Sequence, residues 1–148
     1  MANKSLEVIE KESKQYIVVM VGNEQYGIDI SYIDNIVRMQ KITRVPKIQH
    51  YFRGIINLRG EIVSVMSIRR KMNLDDDVFT NASRIIIIKL EEKGAIGIIV
   101  DEVKEVVNLS EEDIEKTNNR GKFINGIGKH GNALISLLEV NAVVDDNI

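Results

Sequence analysis

The chain has 148 residues, 44% of them hydrophobic and 28% charged, with one proline, no cysteine and no tryptophan. That is the length of one ordinary domain with a core of its own, and the composition excludes a disordered, collagenous or disulfide-stapled chain. The lack of cysteine removes thiol nucleophiles and thiolate metal sites, and 24 isoleucines and 16 valines against 8 leucines favour half-buried strands over helices.

In chain order, Met1 to Lys14 mixes charges with scattered aliphatics and lacks the continuous apolar stretch of a secretory signal. Residues 1–13 are expected to form a flexible tail, and the protein is expected to be cytoplasmic. Gln15 to Val21 and Glu24 to Ile30 then read as a hairpin about Gly22-Asn23. Similar apolar runs recur at Gly54 to Leu58, Glu61 to Ile68, Ser83 to Leu90, Ala95 to Val100, Lys122 to Ile127 and Ala133 to Leu138. The turns between them fall at Arg59-Gly60, Lys93-Gly94 and Gly128 to Asn132. Such short strands and tight turns predict a small barrel or sandwich. The longest apolar runs, Ile85 to Ile88 and Ala95 to Val100, fall far short of the roughly 20 residues of a spanning helix.

The sequence also echoes itself. Gly27 to Val37 repeats its placement of glycine and aliphatics at Gly97 to Val107, an offset of 70. Gly54-Ile55 recurs at Gly126-Ile127, and Ser64-Val65-Met66 at Ser136-Leu137-Leu138, both at an offset of 72. Three collinear matches point to a duplication. Units of about 65 residues bury little alone, so they are expected to pack together around a groove. The acidic run Asp75-Asp76-Asp77 reads as a solvated linker between them. The expected organisation is one domain over 14–144, with a first barrel at about 14–81, a second at about 82–144, and a tail at 145–148.

Charge is uneven. Residues 38–71 hold nine basic side chains and one acid, Glu61, against 11 basic and 21 acidic elsewhere. An electropositive face would suit an acidic partner or nucleic acid; a run of solvated cations reads equally well.

Catalytic patterns fail one by one. Gly126, Gly128 and Gly131 spell a nominal dinucleotide fingerprint, but the run after it reads as a strand instead of the helix that would hold a pyrophosphate. His50 and His130 lie in separate segments with no local metal-ligand spacing. The serines lack a nucleophile elbow, and the paired acids at Glu91-Glu92 and Glu111-Glu112-Asp113 fall in stretches predicted to be exposed; Ser110 and Asp113 suit a helix cap. No catalytic residue, metal or cofactor is expected.

The informative segment runs from Gly54 through Ile56, Asn57, Leu58, Arg59 and Gly60 to Ile62, Val63, Val65, Met66 and Arg69. It reads as two strands about Arg59-Gly60, with the arginine at a loop tip, suited to meet a carboxylate. This pattern resembles the signature of the CheW family of chemotaxis adaptors, whose domain also ends the CheA histidine kinase. Tyr26-Gly27-Ile28-Asp29-Ile30 with Ile33 and Ile36, Val45-Pro46, and Gly97 to Asp101 are similar to further family segments in the same order, over about 15–144. Ser64, Ser67 and Ile68 stand where the family usually has proline, aspartate and leucine, and Asn35 where a receptor-contacting glutamate is often found.

The resemblance implies an all-β fold of two SH3-like five-stranded β-barrels packed around a groove, with short helical turns. It implies an adaptor without catalysis or cofactor, joining the cytoplasmic tip of methyl-accepting chemoreceptors to the regulatory domain of a CheA-like histidine kinase in membrane receptor arrays, with no insertion into the membrane. The receptor's helical hairpin would dock in the groove against Ile33, Asn35, Asn57, Leu58 and Arg59, with Gly54 and Gly60 serving the turn. Kinase-facing residues are left unassigned. The alternative is a small β-barrel that binds nucleic acid through residues 38–71, where Tyr51 and Phe52 are the aromatics near the cations.

Overall fold

A computed structural model describes residues 13–91, 94–117 and 119–145. Eleven strands form two sheets: β1 (Lys14–Val21), β2 (Glu24–Asp29), β3 (Ile33–Arg38), β4 (Phe52–Leu58), β5 (Glu61–Ser67), β6 (Arg84–Leu90), β7 (Gly94–Val100), β8 (Glu102–Leu109), β9 (Ile114–Lys116), β10 (Ile124–His130) and β11 (Ala133–Leu138). Two one-turn helices, α1 (Ile68–Lys71) and α2 (Val140–Val143), follow β5 and β11, and 3-10 turns occupy Ile30–Tyr32 and Glu111–Asp113.

The strand order is β8-β1-β2-β11-β10-β9 in one sheet and β3-β6-β7-β5-β4 in the other. The first draws on both ends of the chain and is called here the terminal barrel; the second uses the middle and is the central barrel. The expected division near residue 81 is therefore corrected. The N-terminal hairpin β1–β2 pairs with β8 and β11, while β6 and β7 pair with β3 and β5. Each barrel takes two strands from one repeat and the rest from the other. The exchange happens where the sequence echoes itself: Gly27 to Val37 carries the chain from β2 into the central sheet, and Gly97 to Val107 carries it from β7 back into the terminal one.

Equivalent pairings confirm the duplication residue by residue. Leu137 opposes Gly27 and Val65 opposes Gly97 in the parallel pairs. The chain after β3 returns to bridge Thr43 with Ile55, and the chain after β8 returns as β9 to pair Glu115 with Ile127. Each return closes its sheet; in the terminal barrel the return is long enough to count as a sixth strand. Both hairpins also bulge at the same place, between Phe52 and Gly54 and between Ile124 and Gly126.

Three apolar clusters follow from strand alternation. Tyr16, Val18, Val107, Leu109, Ile135 and Leu137 fill the terminal barrel; Ile56, Val63, Val65, Ile85, Ile87 and Ile99 fill the central one. The opposite faces of the same strands, including Ile17, Val19, Ile86, Ile88 and Ile98, meet with α2 in the largest cluster, which is the seam between the barrels. Burying each such side chain contributes roughly 1.5–3 kcal/mol, so separating the barrels would expose the largest part of the core. β3, β8 and β9 lie outside the runs that the sequence marks as strands. β8 turns Glu102, Lys104, Glu105 and Val106 to water, because as the sheet's edge it buries little beyond Val107 and Leu109.

Candidate functional site

The β4–β5 hairpin turns in two residues, since Leu58 pairs with Glu61. Arg59 and Gly60 have φ of 54° and 84°, the doubly left-handed geometry that suits strand twist in a two-residue turn. Asn57 Oδ1 accepts a hydrogen bond from the Gly60 N–H at 2.9 Å and pins the loop. For an arginine this backbone costs about 1–2 kcal/mol. The equivalent residue of the second repeat is Gly131, with φ of 60°, so the hairpin itself does not call for an arginine. The Arg59 side chain is exposed, and among the described residues nothing hydrogen-bonds or ion-pairs with it.

Of the other expected contact residues, Ile33 opens β3 half-buried against the seam cluster. Asn35 follows a register shift and its Oδ1 accepts the Ile36 N–H at 2.8 Å. Register places the start of β3, the start of β7 and the β4–β5 tip at one end of the central barrel: Ile33 opposes Ile88, Ile88 opposes Ile96, and Ile96 lies beside Ser64. The five residues do not share a face. Leu58 packs on the barrel interior, Ile33 faces the seam, and Asn57 and Arg59 face solvent.

Gly54 needs a different account from the one expected. It lies within β4, not at the turn, with φ of 142°, and a Cβ there would stand 2.1 Å from the Thr43 carbonyl oxygen. Its service is to let the returning chain close the barrel at the Thr43–Ile55 bridge. Gly60 does serve the turn.

The run Asp75-Asp76-Asp77 is not a solvated linker. Asp76 accepts from Arg70 Nε and Nη2 at 2.8 and 3.0 Å and from Arg53 Nη2 at 2.9 Å, and Asp77 Oδ2 accepts from Arg53 Nη2 at 3.0 Å. The Arg70 hydrogen bond, followed by that from the Asp77 N–H, holds the Asp76 carboxyl well below the usual range. Arg69 forms a bidentate pair with Asp101 at 3.2 and 2.5 Å, and Asp101 also accepts the Gly22 N–H at 2.8 Å. That pair ties the central barrel to the β1–β2 turn of the terminal one. Lys71, nearly buried, donates to the Asp145 carbonyl and lies 3.9 Å over the Tyr51 ring. Four of the nine cations in residues 38–71 are thus engaged within the protein, and these partners were not foreseen: nothing local in the sequence joins Arg69 to Asp101, 32 positions away.

His50 packs edge-on against Tyr51, and His130 ends β10. Among the described residues no three His, Asp or Glu side chains gather to hold a metal ion, and no helix is long and apolar enough to cross a membrane. Gly126 and Gly128 lie inside β10, where a Cβ at Gly128 would stand 2.5 Å from Leu109 Cδ1. These two glycines answer to packing.

Two interlocked barrels from a duplicated chain, with polar side chains displayed at a turn and around a seam, define a scaffold of the binding type. A family described as CheW-like domain matches residues 15–147, and the chain belongs to that family. It is 35% identical over 140 residues to the chemotaxis protein CheW of Bacillus subtilis, covering 91% of this chain and 89% of that one. It is 29% identical to the chemotaxis protein CheW of Helicobacter pylori, covering 90% and 83%. The crystal structure of the scaffolding protein TtCheW from Thermoanaerobacter tengcongensis superposes with a TM-score of 0.83 at 30% identity, covering 90% of this chain and 94% of that one.

Proposed function

We propose that this protein is a non-catalytic chemotaxis adaptor that binds the cytoplasmic tip of transmembrane chemoreceptors and the regulatory domain of a CheA-type histidine kinase, passing receptor state to kinase activity. The observation that carries the reading is Arg59, an exposed guanidinium without a hydrogen bond or ion pair among the described residues, held in a left-handed turn where the sister repeat has glycine. A left-handed backbone at an exposed arginine that the hairpin does not call for points to a partner outside the fold. The receptor's helical hairpin docks at this end of the central barrel, along the seam edge at Ile33 and Asn35, with Asn57 and Arg59 at the hairpin tip and Leu58 as the apolar support beneath them. Family membership and the scaffold relatives support the same reading.

For the kinase, barrel-to-barrel contact would use exposed aliphatics. Ile62 and Leu134, 59% and 61% exposed, occupy equivalent places beside the two hairpin tips. The nucleic-acid alternative is weakened by the internal pairing of Arg53, Arg69, Arg70 and Lys71, four of the nine cations it would use on a phosphate backbone.

The test is reconstitution of receptor, kinase and this protein with kinase autophosphorylation as readout, comparing wild type with Arg59→Gly. Receptor-coupled activity is expected to depend on the protein and to fall with Arg59→Gly. Kinase activity that ignores its presence defeats the adaptor reading, and full coupling by Arg59→Gly defeats the role of Arg59.

A further inference from the structure

A trough of about 780 Å3 lies on the flank of the central barrel, lined entirely by that barrel and its linker. One wall is the segment from Met39 to His50, shaped by the Thr43–Ile55 bridge, by a turn at Pro46-Lys47 and by the Phe52 N–H donating to Gln49 O at 3.0 Å. The other wall holds Arg53, Arg70 and Phe79, and it is fixed. Asp76 bridges the two guanidiniums, Arg70 also donates to the His50 carbonyl at 3.0 Å, and Arg53 sits 5.1 Å over the Phe79 ring.

Three features give the trough a chemical preference. Its lining is apolar at Ile42, Val45 and Phe52, with Ile48 and Phe79 left 39% and 47% exposed at the rims. Its charged lining is cationic, and among the described residues no carboxylate lines it. Because Arg53 and Arg70 are already neutralised, the cations free to meet a ligand are Arg44 and Lys47. Lys47 is held at φ of 59°, where a turn of this kind ordinarily takes glycine or asparagine, so a strained backbone again presents a cation to solvent.

The duplication supplies a comparison. The equivalent segment of the second repeat, 111–122, carries Glu111, Glu112, Asp113 and Glu115 together with Lys116, Arg120 and Lys122, whereas Met39 to His50 contains Lys41, Arg44 and Lys47 and no acid. The two segments share the pairing that closes each sheet but not their conformation, and what sets the first apart is cations with no acids among them.

We infer that this trough is a docking site for an acidic, amphipathic peptide segment of a partner protein, distinct from the seam edge and hairpin tip used for the receptor. Aliphatic or aromatic anchors of the peptide enter between Ile48 and Phe79, and its carboxylates meet Arg44 and Lys47. Two free cations suit one or two carboxylates; they are too few for a nucleic-acid backbone.

The test is selection of phage-displayed random dodecapeptides on the intact protein, after depletion against the Arg44→Glu/Lys47→Glu variant. Synthetic copies of the selected peptides are then measured by fluorescence polarisation beside a twelve-residue oligothymidine. Selected peptides are expected to be acidic with apolar anchors, and to bind about tenfold more weakly to Lys47→Glu and several-fold more weakly to Phe79→Ser. Lys47→Gly separates binding from folding, because it should melt higher than wild type yet still bind the peptides more weakly. No enrichment, enrichment of peptides without acids, equal affinity for Lys47→Glu, or tighter binding of the oligothymidine each overturns the inference. None of these outcomes involves the receptor or the kinase, so the adaptor reading stands or falls separately.

Discussion

Residues 59 and 131 hold one place in two copies of one hairpin, yet one is arginine and the other glycine, both near φ of +60°. The pairings around them match from repeat to repeat, down to the Ser67 N–H donating to Tyr51 O at 2.7 Å and the Glu139 N–H donating to Phe123 O at 2.8 Å. The pairings are shared but the turns differ at their second residue, since Gly60 is left-handed at φ of 84° and Asn132 is not. Against the second repeat, the first differs by Arg59 at the tip, Lys47 on the flank, and the Arg69–Asp101 pair at one seam.

The sharpest break of this symmetry is at the paired glycines 54 and 126. A Cβ at Gly54 would collide with the Thr43 carbonyl at 2.1 Å on a left-handed backbone, whereas at Gly126 it would meet Ile114 Cγ2 at 3.1 Å and Glu115 O at 3.3 Å. Chemical denaturation should find Gly54→Ala destabilised by roughly 3–5 kcal/mol and Gly126→Ala by about 1–2 kcal/mol. Equal losses would mean that the two closures are mechanically alike.

Next in size is the seam. Asp101→Asn removes a charge-assisted pair and weakens the Gly22 hydrogen bond, which should cost about 2–3 kcal/mol. Asn141, which stands 72 positions after Arg69, donates to Tyr32 Oη at a long 3.5 Å, and Asn141→Ala should cost under about 0.5 kcal/mol. The barrels are clamped at one side of the seam and loosely held at the other, and hydrogen exchange should be slower around Gly22 than around Tyr32.

The hairpin tips come third and in opposite directions. Arg59→Gly should raise stability by up to about 1 kcal/mol, and Gly131→Ala should lower it by a similar amount. Stabilisation of Arg59→Gly together with weaker receptor binding would separate function from folding; a destabilised Arg59→Gly would show that the arginine serves the fold.

The smallest effects lie in pH. Burial, reinforced by Glu24, pushes the Tyr26 hydroxyl in the terminal barrel up to about 12. Its folded pKa exceeds the unfolded value, so its contribution is complete below about pH 10 and is lost as pH climbs towards 12. Asp76 on the central barrel has the opposite sign: held low by Arg70, it contributes above the ordinary carboxylate range and loses that contribution as pH falls below about 4. Because its side chain is 57% exposed, solvent reduces the effect. Stability measured across pH should lose part of its alkaline limb in Tyr26→Phe, with Tyr16, also pushed up by burial, keeping the rest, and part of its acid limb in Asp76→Asn.

Much of the fold was legible in the chain. Buried strands such as Arg84–Leu90 and Gly94–Val100 announce themselves because both faces are covered, one by a barrel interior and one by the seam, leaving near-continuous aliphatic runs. Edge strands β3 and β8 did not, because half of their residues meet water and their alternation carries charges. For the candidate site, the turn at Arg59-Gly60 was readable from glycine and flanking aliphatics. That Leu58 turns inward while Asn57 and Arg59 turn outward was not, since the direction of each side chain depends on register across two strands.

Composition and repeats by themselves determined a β-rich duplicated chain, short strands, the hairpin about Arg59 and the lack of recognisable catalytic motifs, because these follow from local preferences and spacing. Only the tertiary structure decided that the repeats exchange strands, that Gly54 yields to a carbonyl from Thr43, and that Asp77 and Asp101 neutralise Arg53 and Arg69, 24 and 32 positions away. Those outcomes depend on which surfaces meet, and barrels of this size reach stability by burying their outer faces against one another.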